Sequence, residues 1–314
     1  MLTLLNKING YLENETNLTE KYIEIMQKKV WPDSDVKAFL KDNQAQLTPE
    51  IIKRGESKLY EFVLVKNQLA QGQATMTPGY TPSLVLNNQR IEVVYTPTAE
   101  FLEKQRQLEI KKRIRFFNNR TPKHNKLVRF KDITTNDNNP SRSIVFAKMM
   151  DFLNHYIEKP YEFHKGLYLY GSFGTGKTFF MTTLANELAI RGYSSLIVYY
   201  PEFVRKMKDA INNGQTTQLL NELCDVPILI FDEIGSIETS NWVRDECLAI
   251  VLQARMEQEL PTFFTSNLSL DELQQALEVN NRDISEPLKA QRLMERIKFL
   301  ADECAMIGKN WRNS

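Results

Sequence analysis

The 314 residues predict an α/β protein: a five-stranded parallel sheet with flanking helices, preceded by a smaller, mostly helical N-terminal domain that carries a β-hairpin. Three observations carry that reading. After about residue 127, short apolar runs alternate with helical patterns, as strands joined by helical crossovers do. Before about residue 117, apolar side chains recur at helical spacing, interrupted by one pair of β-like runs. Between the two lies a basic, proline-containing stretch of linker character. Hydrophobic residues make up 42% and charged residues 25%, which excludes chain-wide disorder.

The elements follow in order. Residues 1 to about 70 alternate Leu, Ile and aromatic residues with charged ones. Thr48-Pro49-Glu50 supplies an N-cap and a proline at the first helical position, where its missing N–H costs nothing. The helix it opens runs through Ile51, Ile52, Leu59, Tyr60 and Val63. A turn-rich break follows at Thr77-Pro78-Gly79-Tyr80-Thr81-Pro82. Runs at 83–86 and 91–95, joined by Asn87-Asn88-Gln89, form the hairpin signal, and Pro97 closes it. Residues 99 to about 117 read as a basic helix and 118–125 as a linker. The expected division is 1–100 as the N-terminal domain, 101–126 as basic helix and linker, and 127–314 as the α/β domain. In that last region strands are expected at 167–170, 195–200, 228–231, 262–265 and 304–307. Gly192 ends the helix after Gly176, Pro201 opens the next, and Ser269 with Glu272 forms a capping box.

The segment Gly171-Ser172-Phe173-Gly174-Thr175-Gly176-Lys177-Thr178 fits G-x-x-x-x-G-K-[ST], with a strand before it and a helix after it. Glycines let successive backbone N–H groups point inward at a phosphate, and the helix N-terminus adds partial positive charge. Lys177 can reach the β- and γ-phosphates of a nucleotide, and the Thr178 hydroxyl can ligate Mg²⁺. The run 228–231 ends in Asp232-Glu233, at the sheet edge where open α/β sheets bind ligands. Asp232 is expected to hold Mg²⁺ and Glu233 to orient and deprotonate an attacking water. The adjacent acids argue against a simple nucleotide kinase, whose acceptor is a second substrate. Asn267 ends the run Phe263-Phe264-Thr265-Ser266; if that strand lies between the first and third, Asn267 stands near the γ-phosphate.

These elements, in this order, resemble the AAA+ ATPases. The stretches Gly166-Leu167-Tyr168-Leu169-Tyr170-Gly171, Asp232-Glu233-Ile234-Gly235, Pro261 to Leu268 and Leu293-Met294-Glu295-Arg296-Ile297 are similar to the bacterial helicase-loader, DnaC/IstB-like branch. The resemblance implies an ATP-dependent loader that binds the hexameric replicative DNA helicase through its N-terminal domain. It would deliver that helicase onto single-stranded DNA during replication initiation or restart, beside other primosome proteins, with slow, regulatory hydrolysis. It also places an arginine finger at Arg296, which would act in a neighbouring subunit's ATP site and so require self-association through those sites. Arg292, one turn away, is a rival. Two other readings stay open: an adaptor for which ATP is only an assembly ligand, and an IstB-like transposition ATPase.

Many members of that branch carry zinc in the N-terminal domain. Here residues 1–125 hold no cysteine and only His124, so no zinc is expected. No room is expected for a C-terminal helical lid, Arg312 being the sole late candidate for its nucleotide-sensing arginine. The net charge is +1, yet eleven Lys or Arg against one acid, Glu109, fall between Lys104 and Lys131. Phe203, Arg205, Lys206 and Lys208 are candidates for single-stranded DNA, by stacking and phosphate contact. The same pattern describes an amphipathic helix with Phe203, Val204 and Met207 in the core. Three widely spaced cysteines, no secretory signal and no long apolar run point to a cytoplasmic protein without membrane association.

Overall fold

The computed structural model describes residues 21–117, 128–133, 139–278 and 286–311. The chain forms two compact units, divided at Arg106/Gln107.

In the first unit, helix α1 (Ser34–Asp42) is capped by Asp33, whose carboxylate accepts the N–H groups of Asp35 and Val36. Helix α2 (Pro49–Ala70) starts on the Thr48 hydroxyl with proline in its first turn, as the sequence predicts. Strands β1 (Tyr80–Asn87) and β2 (Arg90–Pro97) form an antiparallel hairpin in which Asn87 pairs with Arg90. Asn88 and Gln89 both take positive φ, the twist a two-residue hairpin turn needs. Leu59, Phe62 and Val63 of α2 pack with Val36 of α1 and Ile91 of β2 in this unit's own core.

Helix α3 (Ala99–Arg113) is shorter than the expected basic helix. Its continuation, β3 (Ile114–Phe116), joins the main sheet beside β5 (Ser195–Tyr199). The sheet therefore has six strands rather than five. Three alternating residues at the end of a basic helical pattern carry too little periodicity to separate strand from helix; pairing with β5 decides it. The expected linker at 118–125 lies outside the described residues.

The second unit continues with α4 (Pro140–Glu158), β4 (Gly166–Tyr170), α5 (Lys177–Ile190) and β5. Next come α6 (Tyr200–Asn213), α7 (Thr216–Asp225) and β6 (Ile228–Asp232), then a π-helical turn at Val243–Leu248 that runs into α8 (Ala249–Glu257). The unit closes with β7 (Thr262–Ser266), α9 (Leu270–Glu278), α10 (Pro287–Leu300) and β8 (Ala301–Ala305). The order across the sheet is β3-β5-β6-β7-β4-β8, all neighbours parallel. Strand β7 thus lies between β4 and β6, the arrangement on which the reading of Asn267 depends. The last strand begins three residues before its expected start, because its first residues, Ala301-Asp302-Glu303, follow α10 directly and carry no apolar run.

Alternate strand residues feed two cores. Tyr168, Leu229, Phe231 and Phe264 face one layer of helices, and Leu167, Leu169, Ile228, Ile230 and Phe263 face the other. The capping box forms as predicted, Glu272 accepting the Ser269 N–H. Cys224, Cys247 and Cys304 are buried free thiols. Among the described residues no helix is long and apolar enough to cross a membrane.

Candidate functional site: a phosphate loop and two acids at the sheet edge

The loop between β4 and α5 is shaped by glycines at positive φ: Gly174 at 75° and Gly176 at 102°. At Gly174 a Cβ would stand 1.8 Å from Asn310 Oδ1, a side chain that can turn away, so it is the positive φ that disfavours other residues there. Lys177, in the first turn of α5, is buried and bends back over the loop. Its Nζ donates to Gly171 O at 2.6 Å, Ser172 O at 2.8 Å and Asn267 Oδ1 at 2.9 Å. The ammonium thus sits beside the loop backbone and the residue after β7.

Asp232, at the end of β6, is buried. Thr178 Oγ1 donates to its Oδ1 at 2.9 Å, and Thr265 Oγ1 of β7 donates to the same oxygen at 2.6 Å. Burial pushes its carboxyl above the usual carboxylate range, against the pull of those two hydroxyls and of Lys177. Glu233 follows with φ at 61°, unusual for a residue with a side chain. The turn is tied to β7: Glu233 N donates to Thr265 Oγ1 at 2.9 Å, Ile234 N to Thr265 O at 2.9 Å, and Ser266 Oγ to Ile234 O at 2.7 Å. A strained backbone held by neighbouring strands is what aiming one carboxylate requires.

Lys177, Thr178, Glu233 and Asn267 line a single cavity of about 460 Å³, together with Asp132, Ile133, Arg142, Phe173, Phe179 and Trp311. The sequence reading assembled the first group and missed most of the second. Asp132, Ile133, Arg142 and Trp311 come from chain segments outside every recognised motif, and no spacing points to them.

Residues 128–133 reach the cavity because Glu187 of α5 clamps them. Arg129 Nε donates to Glu187 Oε1 at 2.7 Å and Phe130 N to the same oxygen at 3.0 Å; Arg191 also donates to this carboxylate. Burial raises the Glu187 pKa, but these donors outweigh it and hold the carboxyl below its ordinary value. A lowered carboxylate pKa contributes stability above about pH 4.3, its unfolded value, lost as pH falls through the folded value. Glu187→Gln is accordingly expected to cost about 1–3 kcal/mol at pH 7. Denaturant melts from pH 7 to pH 3 should show the gap to wild type narrowing on acidification; a gap independent of pH would remove the carboxylate from the clamp.

Arg296 lies on α10, half-buried, with Nη1 donating to Ala249 O at 2.8 Å, and Arg292 is exposed. Both border a second concavity with Met256, Glu295, Lys298 and Phe299, and neither lines the phosphate-loop cavity of its own chain. Arg312 lies outside the described residues.

The expected stacking role of Phe203 is corrected. The side chain is fully buried, its ring 5.8 Å from Tyr200, 5.7 Å from Phe231 and 6.1 Å from Phe117. The amphipathic alternative holds: the apolar face of α6 enters the core. Arg205 pairs with Glu202 and Asp209 on its own helix. Lys206 donates to Phe117 O and lies 4.5 Å from the Phe117 ring centroid, while Lys208 is exposed.

Comparison with known proteins adds to this geometry. Residues 2–95 match the family described as the primosomal protein DnaI N-terminus, and residues 99–303 match the IstB-like ATP-binding proteins. The chain is 39% identical over 302 residues to the replicative helicase loader DnaI of Bacillus subtilis (strain 168), covering 94% of each chain. This chain belongs to the DnaI family of replicative helicase loaders. The replicative helicase loader DnaC of Escherichia coli (strain K12) is 33% identical over 109 residues, 34% of this chain and 44% of DnaC. A crystal structure of DnaI aligns with 64% of this chain and 98% of its own length, at 34% identity and a TM-score of 0.51. The parallel α/β sheet and the membership of an ATP-binding family predicted from the sequence are therefore found, with one strand added.

Proposed function

We propose that this protein is an ATP-dependent loader that captures the hexameric replicative DNA helicase and delivers it onto single-stranded DNA in the cytoplasm, beside other primosome proteins. The unit ending at Arg106 would grip the helicase, and the unit from Gln107, whose sheet includes β3, would be the ATPase domain. One observation carries the reading: Lys177, Thr178 with Asp232, Glu233 and Asn267 converge on one cavity at the sheet edge, in a chain alike over nearly its whole length to a named loader.

The donor set fits a magnesium triphosphate. Ser172 to Gly176 would offer backbone N–H groups above the N-terminus of α5, where anions are favoured. The Lys177 ammonium would exchange its carbonyl partners for phosphate oxygens. The Thr178 hydroxyl and the Asp232 carboxylate, already in contact, would hold Mg²⁺ and its water shell. Mg²⁺ when bound neutralises phosphate charge. Glu233 would orient the attacking water and take its proton, and Asn267 would position the same water. Arg296, which does not line its own chain's cavity, would complete a neighbour's site when subunits associate. With Phe203 in the core, DNA contact would rest on exposed basic side chains such as Lys208, with Arg205 and Lys206 freed from their present partners.

Slow hydrolysis as a timing device is separated from ATP as a mere assembly ligand by Glu233→Gln. The variant is expected to bind ATP within a few-fold of wild type and to lose at least ~10²-fold in turnover. If loading consumes ATP, helicase capture persists in pull-downs while release onto single-stranded DNA stalls. Unimpaired delivery by a variant without turnover would favour the adaptor reading.

A further inference from the structure

Beyond β8 the chain turns back across the phosphate loop. Met306 N donates to Tyr170 O at 2.7 Å and Ile307 N to Ser141 Oγ at 2.8 Å. Asn139 Nδ2 donates to Ile307 O at 2.7 Å, and Trp311 N donates to Gly174 O within the loop at 2.9 Å. The indole that this path delivers lines the same cavity as Lys177 and is 38% exposed. The buried Arg142 supports it: the guanidinium lies 5.0 Å from the Trp311 ring centroid and 5.1 Å from that of Phe180, and Nη1 donates to Thr175 O at 3.2 Å. Lys309 Nζ lies 4.3 Å from the same indole centroid. A large, partly exposed aromatic ring thus lines the cavity of the phosphate loop, with the exposed Lys309 side chain against it as the partner that a stacked base would displace.

We propose that Trp311 forms the nucleobase end of the pocket, where a purine ring stacks on its indole. The assignment rests on the ATP reading above. The lining of the cavity argues for it. The triphosphate belongs with Lys177, Thr178, Glu233 and Asn267, which leaves the nucleoside to Asp132, Ile133, Arg142, Phe173, Phe179 and Trp311, most of them flat or apolar. A volume of about 460 Å³ is in the range of small-ligand sites, roughly 300–1,000 Å³. Aromatic stacking is tolerant of base identity, so ring contact would supply affinity more than choice among bases.

The test compares Mg·ATP with Mg·tripolyphosphate, which has the phosphates and no base, by calorimetry on the full-length wild type, Trp311→Ala and Trp311→Phe. Stacking predicts that Trp311→Ala weakens ATP by about 10- to 100-fold, leaves tripolyphosphate within about twofold, and is largely rescued by Phe. Equal loss for both ligands would mean that the segment only braces the phosphate loop, and no loss would mean no contact; either overturns the assignment. Wild type binding both ligands equally would overturn it alone, since the phosphate site would stand without a base site. Wild type binding neither would sink the ATP reading and this one with it.

Discussion

Replacement of Lys177 by alanine is expected to weaken Mg·ATP binding by about 10²-fold and to abolish measurable turnover. The magnitude follows from charge-assisted hydrogen bonds to phosphate, worth about 1.5–3 kcal/mol in a site of this kind. The structure adds a second cost. Lys177 already bridges Gly171 O, Ser172 O and Asn267 Oδ1, so its loss also releases the loop from the residue after β7. Preorganisation and phosphate contact are removed together. The first unit has its own core around Leu59, Phe62 and Val63, and its capture of helicase should be untouched. Calorimetry with ATP and a helicase pull-down with the same preparation check both halves. ATP affinity within threefold of wild type would remove Lys177 from the phosphate site.

Arg255→Met is expected to produce the largest loss of stability, about 3–5 kcal/mol in the second unit, since several buried carbonyls lose their donor at about 1–3 kcal/mol each. Arg255 is 0% exposed, with a guanidinium that serves one hydroxyl and five carbonyls. Nε donates to Thr262 Oγ1 at 2.8 Å and Nη1 to Leu223 O, Cys224 O and Val226 O at 3.1, 3.3 and 2.7 Å. Nη2 donates to Pro227 O at 3.4 Å and Pro261 O at 2.7 Å. The acceptors are the last turn of α7, the entry to β6 and the entry to β7. Carbonyls at a helix end have no partner in the helix and cannot go dry unpaired. Burial pulls the guanidinium pKa down to about 9, still above neutrality, so the group enters the core charged. Methionine matches much of the volume and strands the acceptors. Lysine should rescue poorly, since three donors on one atom cannot span this fork. At roughly 2–4 °C per kcal/mol for a unit of this size, the second thermal transition should fall by about 10 °C. A shift under 2 °C would show that water satisfies these carbonyls.

The two residues stand at opposite ends of what sequence reveals. Lys177 is legible because a phosphate cradled at a helix N-terminus by this kind of loop calls for glycines, an ammonium and a hydroxyl at fixed spacing in one short segment. Asp232 and Glu233 are legible for a related reason: β6 is an unbroken apolar run, and acids at its end have to face the sheet edge. Arg255 carries no such mark. In α8 it reads as one more surface charge, and only the fold shows five carbonyls converging on it. Phe203 misled in the opposite sense, since an aromatic beside basic residues fits both a stacking platform and an amphipathic helix, and packing against Tyr200 and Phe231 chose the second. Strand β3 escaped because three residues hold less than two periods of alternation.

Chain order and residue type alone determined the parallel α/β sheet, the phosphate loop, the two acids and the hairpin ahead of them. Each is a local pattern with one low-energy geometry. Tertiary structure decided which distant segments share the cavity with that loop: residues 128–133 through Glu187, Arg142 through Thr175, and Trp311 through Gly174. It also put β7 between β4 and β6, which sets Asn267 against Lys177. Contacts between residues far apart in sequence are selected by packing and by pairing of buried polar groups, and neither leaves a period in the chain to be read.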